Sequence, residues 1–274
     1  MVVLATDPKG SHASAPSSGA VELDRVGMRF STATGSVQAL DDVSLLVRPR
    51  EFVSLLGPSG CGKSTLLRLV SDVLTPTDGS IRVGGRTPAE ARKQRTFGFV
   101  FQDATLLAWR SALQNVLLPL EISGDSRGAS ERAAQLLELV GLTGFEHAYP
   151  WQLSGGMRQR VSIARALITQ PQILLMDEPF GALDEITRER LNTELLRIWQ
   201  ATATTILFVT HSSPEAVFLS DRVVVLTARP GRVKLALPIE LPRPRDPAIK
   251  DTVEFAHYTG ALRRALVDEP VEPA

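Results

Sequence analysis

The run Gly57-Pro58-Ser59-Gly60-Cys61-Gly62-Lys63-Ser64 constrains this chain more than any other segment. Its spacing is Gly-x-x-x-x-Gly-Lys-Ser. A short apolar run, residues 52–56, precedes it, and residues 64–74 follow with helical periodicity. The pattern predicts strand, loop and helix in that order. Glycines let the backbone wrap a phosphate with its N–H groups, and the following helix N-terminus adds a partial positive charge. Lys63 is expected to reach the β- and γ-phosphates of a nucleotide, Ser64 to place its hydroxyl on Mg²⁺, and Thr65 to bond the α-phosphate end. Cys61 reads as a small residue filling the loop, since no separate group is present to activate a thiol.

A second segment carries the acids. Four apolar residues, 173–176, lead to Asp177 and Glu178, and Pro179 stops the strand at once. Ligands of open α/β sheets gather at the carboxyl ends of the strands. Asp177 is expected to hold Mg²⁺ and Glu178 to polarise the attacking water. His211 ends another apolar run, residues 206–209, and from a strand beside the acidic one it would contact a γ-phosphate.

A third segment predicts a helix from Ser154 to Ile168. Ser154 is a good N-cap, and Met157, Val161, Ala164 and Ile168 recur at helical spacing. A capped core helix does not account for Gly155 and Gly156, each of which costs about 1 kcal/mol relative to alanine in a helix. They expose N–H groups and admit a close neighbour, for which the γ-phosphate held by a second copy of the chain is a candidate.

Around these segments the pattern predicts an α/β fold. Residues 21–30, 38–47 and 81–83 suggest an antiparallel β-layer. Residues 97–101, 173–176, 205–209 and 223–226 suggest a mostly parallel sheet covered on both faces. The block from about 103 to 153 turns helical and reads as an inserted subdomain, with one clear helix through Ala133, Leu136, Leu137 and Val140 that stops at Gly141. Residues 1–19 read as a disordered lead-in, 20–232 as the main domain, and 233–274 as a Pro-rich extension with a short helix whose Phe255, Tyr258, Leu262 and Leu266 pack on the core.

Composition excludes several classes. Lys+Arg and Asp+Glu are both 30, so no global field exists to hold nucleic acid. The single cysteine fits a reducing compartment. No apolar run reaches the length of about 18 residues that a membrane span needs, and no signal peptide is evident.

The motifs together resemble the ATP-binding-cassette (ABC) ATPases over about residues 21–231. Leu153-Ser154-Gly155-Gly156-Met157 is similar to their signature motif, with Met157 where glutamine is more usual. Gln102 resembles the Q-loop glutamine, which senses Mg²⁺ and links to the transporter partner. Ala182-Leu183-Asp184 resembles the D-loop, and His211 the switch histidine. Phe30 stands where an aromatic, usually tyrosine, stacks on adenine; it keeps the stacking face without the hydroxyl. The stretch Leu106-Leu107-Ala108-Trp109-Arg110, followed by Asn115-Val116, narrows the resemblance to importers of nitrate, sulfonates, taurine and pyrimidine precursors.

The resemblance implies a P-loop NTPase cassette that binds ATP and Mg²⁺ and hydrolyses ATP. Two copies would pair head to tail, Ser154, Gly155, Gly156 and Asp184 of one completing the nucleotide site of the other. It implies multi-spanning permease partners, a binding protein acting indirectly, and a peripheral place on the cytoplasmic face of the cell membrane. The alternatives are a soluble ABC ATPase not coupled to transport and a separate-subunit exporter ATPase. A P-loop kinase or GTPase lacks the signature helix. Trp109 has two readings, an anchor for the permease or a side chain packed inside the helical subdomain.

Overall fold

The computed structural model describes residues 19–32, 35–125 and 127–267. The expected disordered lead-in lies outside them, Gly19 excepted. The strands are β1 (Val21–Thr32), β2 (Gly35–Val47), β3 (Phe52–Leu56), β4 (Asp78–Val83), β5 (Phe97–Val100), β6 (Ile173–Asp177), β7 (Thr205–Val209), β8 (Arg222–Leu226) and β9 (Val233–Pro238). The helices are α1 (Lys63–Val70), α2 (Pro88–Lys93), α3 (Ala112–Ser123), α4 (Ala129–Leu139), α5 (Gly155–Leu167), α6 (Glu185–Thr202), α7 (Ser213–Leu219) and α8 (Val253–Val267).

Two sheets form. One is antiparallel in the order β2-β1-β4, the β-layer expected from the alternating patterns. The other has the order β5-β6-β7-β3-β8-β9, parallel except for β9. Its central strands β3 and β7 are buried at every position and almost wholly apolar, Ser54 of β3 and Thr205 of β7 excepted, because both faces are covered. Side chains alternate between two cores, as the period of two requires. Phe52, Leu174, Met176, Ile206 and Phe208 face the helical side. Val53, Leu55, Ile173, Leu175 and Leu207 face α1 and the antiparallel layer.

The helical region begins with α3, whose Ser111–Gln114 capping box satisfies its first N–H groups. The chain leaves α4 through Gly141 at φ 66°. α5 packs on both α3 and α4, so the helical layer includes the glycine-led helix as well.

Three expectations need correction. Helix α1 ends at Val70 rather than near Leu74: Asp72 turns left-handed at φ 60°, and the N–H groups of Val73 and Leu74 both bond back to Arg68. β5 stops at Val100, one residue before Phe101. The start of the Pro-rich extension, for which no strand is expected, forms β9 antiparallel to β8, so the sheet runs past residue 232. Pro238 ends this edge strand, where a missing N–H costs no ladder bond.

The tail beyond is anchored. Phe255 and Leu262 of α8 are buried in the helical-side core, with Tyr258 and Leu266 packed against it, as the stripe predicts. Arg245, 4% exposed, donates to the carbonyls of Val217, Phe218 and Ser220 at 2.9, 3.0 and 2.7 Å. These are orphan acceptors at the end of α7, and charged donors satisfy them strongly.

Candidate functional site

The phosphate loop joins β3 to α1. Gly62 enters α1 at φ 101°, and a Cβ there would lie 2.6 Å from Leu40 Cδ2 and 3.0 Å from the Ala39 carbonyl. Only glycine meets both conditions. Lys63 is 5% exposed, and its ammonium donates to the carbonyls of Gly57 and Pro58 at 2.8 and 2.9 Å. The loop is thus curled around a buried cation. Cys61 is buried beneath it, as a filler would be.

The parallel register brings the acids to this loop. β6 and β3 flank β7, and Asp177 and Leu55 both pair with Val209. Ser64 Oγ donates to Asp177 Oδ1 at 2.8 Å. Burial pushes the Asp177 carboxyl above its ordinary range, and the Ser64 hydrogen bond opposes that rise. Glu178 sits at φ 43°, its N–H bonded to Val209. Its Oε2 lies 3.3 Å from His211 Nδ1. Gln102 Nε2 and Glu178 Oε2 flank Gly181, 3.7 and 3.6 Å from the point where a Cβ on that glycine would stand.

An open cavity of about 460 Å³ is lined by Phe30, Lys63, Ser64, Thr65, Glu178 and Arg229, with Ser59, Gly60 and Gly62 among its walls. Its size suits a small ligand. Arg229, which the sequence marks only through the Arg229-Pro230-Gly231 stretch similar to the same importers and not as a site residue, donates from its guanidinium to the Gly60 carbonyl at 3.3 Å. Asp177 stands behind the wall through its bond to Ser64. Gln102 and His211 stand beside it through Glu178.

Ser154, Gly155, Gly156 and Asp184 do not join this cavity among the described residues. Ser154 caps α5 through Met157 N at 3.2 Å and is itself exposed. Asp184 caps α6 through Thr187 N at 2.9 Å, and that hydrogen bond holds its carboxyl below the usual range. A Cβ on Gly156 would meet Thr187 Cγ2 at 2.9 Å, and one on Gly155 would meet Leu183 Cδ2 at 3.2 Å. The close neighbour of Gly156 is therefore α6 of the same chain, a reason the sequence reading did not find. Gly155 retains the looser contact.

Helix α5 also holds the segment that carries Gln102. Gln159 Nε2 donates to the Phe101 carbonyl at 3.0 Å, and Arg165 donates to the carbonyls of Ala104 and Thr105 at 2.8 and 2.9 Å. Asn115 is fully buried and fastens the next loop, accepting from Leu107 N and donating to the carbonyls of Leu107, Arg110 and Ser111. Trp109, at the tip of that loop, is 72% exposed. Its packed reading is overturned. A separate groove of about 490 Å³, of which Trp109 is not a wall, is lined by Phe99, Phe101, Leu118, Pro119, Ile122 and Arg165.

A glycine-rich loop around a buried lysine, with a serine–aspartate pair at the strand ends, defines a P-loop nucleoside triphosphatase. Comparison with known proteins narrows the class. The family model described as ABC transporter matches residues 40–181. The chain is 45% identical over 248 residues to the nitrate import ATP-binding protein NrtD of Synechococcus elongatus, covering 88% of this chain and 89% of that protein. It is 48% identical over 253 residues to the taurine import ATP-binding protein TauB of Rhizobium johnstonii, covering 90% and 96%. Among solved structures it resembles the dimeric post-hydrolysis state of the ATP-binding cassette MJ0796 bound to ADP and Pi, at 33% identity and a TM-score of 0.70, covering 81% of this chain and all of that one. The chain belongs to the ABC transporter ATP-binding family and is an ATP-hydrolysing cassette.

Proposed function

We propose that this chain works as a head-to-tail pair of ATPase subunits that drives an importer for a small nutrient of the nitrate, sulfonate, taurine or pyrimidine-precursor type. One observation carries the pairing: the phosphate loop, Ser64–Asp177 and Glu178–His211 converge on one cavity, while Ser154 is exposed outside it. A helix N-terminus bearing free N–H groups is suited to an anion. The γ-phosphate held by another copy's Lys63 is the anion this reading assigns to it. Likeness to a dimeric cassette bound to ADP and Pi supports the same pairing.

Within each site Phe30 stacks on the adenine. The backbone of the Gly57–Ser64 loop and Lys63 hold the phosphates, and Thr65 bonds the α-phosphate end. Glu178 polarises the attacking water, and His211 contacts the γ-phosphate. Ser64, Asp177 and Gln102 fit Mg²⁺, which favours one or two carboxylates together with phosphate oxygens over an all-protein cage. Consistent with that, no cluster of three or more His, Cys, Asp or Glu side chains occurs among the described residues. When bound, the ion neutralises charge on the β- and γ-phosphates.

Asp177→Asn tests the assignment. The amide keeps the Ser64 contact and loses the charge. Mg²⁺-dependent ATPase is expected to fall about a hundredfold or more, while ATP binding measured in EDTA stays near wild type. Equal loss of binding in EDTA would remove Asp177 from the metal role.

The groove lined by Phe99, Phe101 and Ile122 is the proposed seat of a cytoplasmic permease helix, with Trp109 as a further exposed contact. Its exposed apolar floor and the exposed tryptophan supply the anchor contacts such an interface needs. Among the described residues no helix is long and apolar enough to cross a membrane. In this reading the chain sits peripherally on the cytoplasmic face, held by its permease. Trp109→Ala is expected to reduce co-purification with the permease partner while the free subunit keeps its ATPase. Unchanged co-purification would displace the anchor.

A further inference from the structure

Behind His211 lies a buried carboxylic acid for which the mechanism above has no use. Glu215, on α7, is 7% exposed. Thr210 Oγ1 donates to its Oε2 at 2.5 Å, and the same Thr210 oxygen accepts from Ser212 N at 3.0 Å. Ser212 Oγ in turn accepts from Glu215 N at 3.4 Å. His211 therefore projects from a turn whose two neighbours are both tied to Glu215. Its other carboxylate oxygen, Oε1, is buried without a hydrogen-bond partner, and so are Arg188 Nε and Asn192 Oδ1 on the facing side of α6. Arg188 and Asn192 stand four residues apart, on one helix face. Arg188 donates from Nη2 to the Leu183 carbonyl at 2.8 Å, one residue before Asp184. A cavity of about 10 Å³ is shared by Glu178, His211, Thr210, Ser212, Arg188 and Glu215.

A buried acid is a poor way to stabilise a core, because an apolar residue of similar volume serves at least as well. Burial raises the pKa of this carboxyl, and the Thr210 hydrogen bond, Asn192 and the charges of Arg188 and His211 oppose the rise. Its neighbours are the turn that carries His211 and the helix that leaves Asp184. We propose that Glu215 is a positioning residue for ATP hydrolysis: through Thr210 it fixes the turn that presents His211 to Glu178, and across the small cavity it shares with Arg188 its charge faces the side chain that bonds the loop bearing Asp184. Because Asp184 faces the second copy in the proposed pair, the cluster gives dimer closure a physical route to the histidine. This inference rests on the proposed roles of Glu178 and His211.

The test uses the full chain and two readouts. In Glu215→Gln, kcat for ATP is expected to fall about tenfold or more, since small misplacements of reacting groups carry costs of that order, with KM little changed. Thr210→Val, which keeps shape and loses the hydroxyl, is expected to do the same, and Thr210→Ser to restore kcat. If Glu215→Gln fails to fold, the Thr210 pair carries the test. The imidazole ¹⁵N signals of His211, assigned by their loss in His211→Ala, should move in Glu215→Gln and Thr210→Val and stay in Thr210→Ser. Folded variants with wild-type kcat and unmoved His211 signals would overturn the proposal. So would a lowered melting temperature with unchanged kcat and unmoved signals, which marks a purely structural acid. Moved signals with unchanged kcat would uphold the positioning contact and remove His211 from the proposed mechanism instead.

Discussion

Glu178→Gln is expected to bind ATP and almost fail to hydrolyse it. Glutamine keeps the size of the side chain and an oxygen able to face water. It loses the negative charge that draws off a proton. General-base groups contribute roughly 10²- to 10⁴-fold, so the rate is expected to fall by at least about a hundredfold. The backbone tolerates the change, because φ 43° at this position burdens glutamine and glutamate alike. Binding is expected to stay within about twofold of wild type, since the phosphate loop and its Ser64–Asp177 pair are untouched. A bound nucleotide that is not consumed holds the two copies together, so gel filtration in Mg-ATP should show a dimer that wild type shows weakly. Hydrolysis at the wild-type rate would remove Glu178 as the catalytic carboxylate, and tight binding without a dimer would count against the paired site.

The second large effect is complementation between two inactive proteins. Lys63→Ala removes the cation that the loop surrounds and leaves the Gly57 and Pro58 carbonyls without their donor. ATP affinity is expected to drop strongly, with ADP less affected. Gly155→Asp is expected to bind ATP and lose hydrolysis, because it places a carboxylate at the helix N-terminus that is assigned to the γ-phosphate. The structure decides which glycine to change. A Cβ at Gly155 meets the movable end of Leu183 at 3.2 Å, whereas one at Gly156 meets Thr187 at 2.9 Å and forces α5 from α6. In a mixed dimer, one site joins the intact loop of the Gly155→Asp chain to the intact Ser154 region of the Lys63→Ala chain. Mixing should return ATPase, up to one working site per dimer. No recovery despite exchange proven by cross-linking would mean that the site is not shared, or that both sites must turn over together. Full activity of Gly155→Asp alone would end the assignment of Ser154 and its glycines.

The loop, the acidic strand end and the capped helix were legible in the sequence because each is local. The Gly-x-x-x-x-Gly-Lys-Ser spacing, the apolar run before Asp177 and the Ser154 cap depend on residues within a few positions of one another. The antiparallel layer was legible for the same reason, through alternation. Less visible were features whose partners are distant. β9 escapes a reading of the sequence because the prolines from 238 onward mark a broken tail, whereas the strand that ends at the first of them exists by pairing with β8. Gly156 looked unexplained until Thr187 was seen against it. Trp109 had two equal readings until Asn115 was found to hold its loop outward.

By itself the sequence determined that this chain makes a phosphate loop, a strand ending in two acids and a glycine-led helix, since short-range sterics and hydrophobic period dictate such elements. Tertiary structure alone decided that Ser64 meets Asp177 across 113 positions and Glu178 meets His211 across 33. It also decided that Glu215 lies buried behind the histidine and that Ser154 lies outside the lining of the chain's own cavity. The physical reason is that an apolar pattern specifies which face of a strand or helix is buried, and is silent on which neighbour buries it. Only the strand order β6-β7-β3 sets the acids beside the loop.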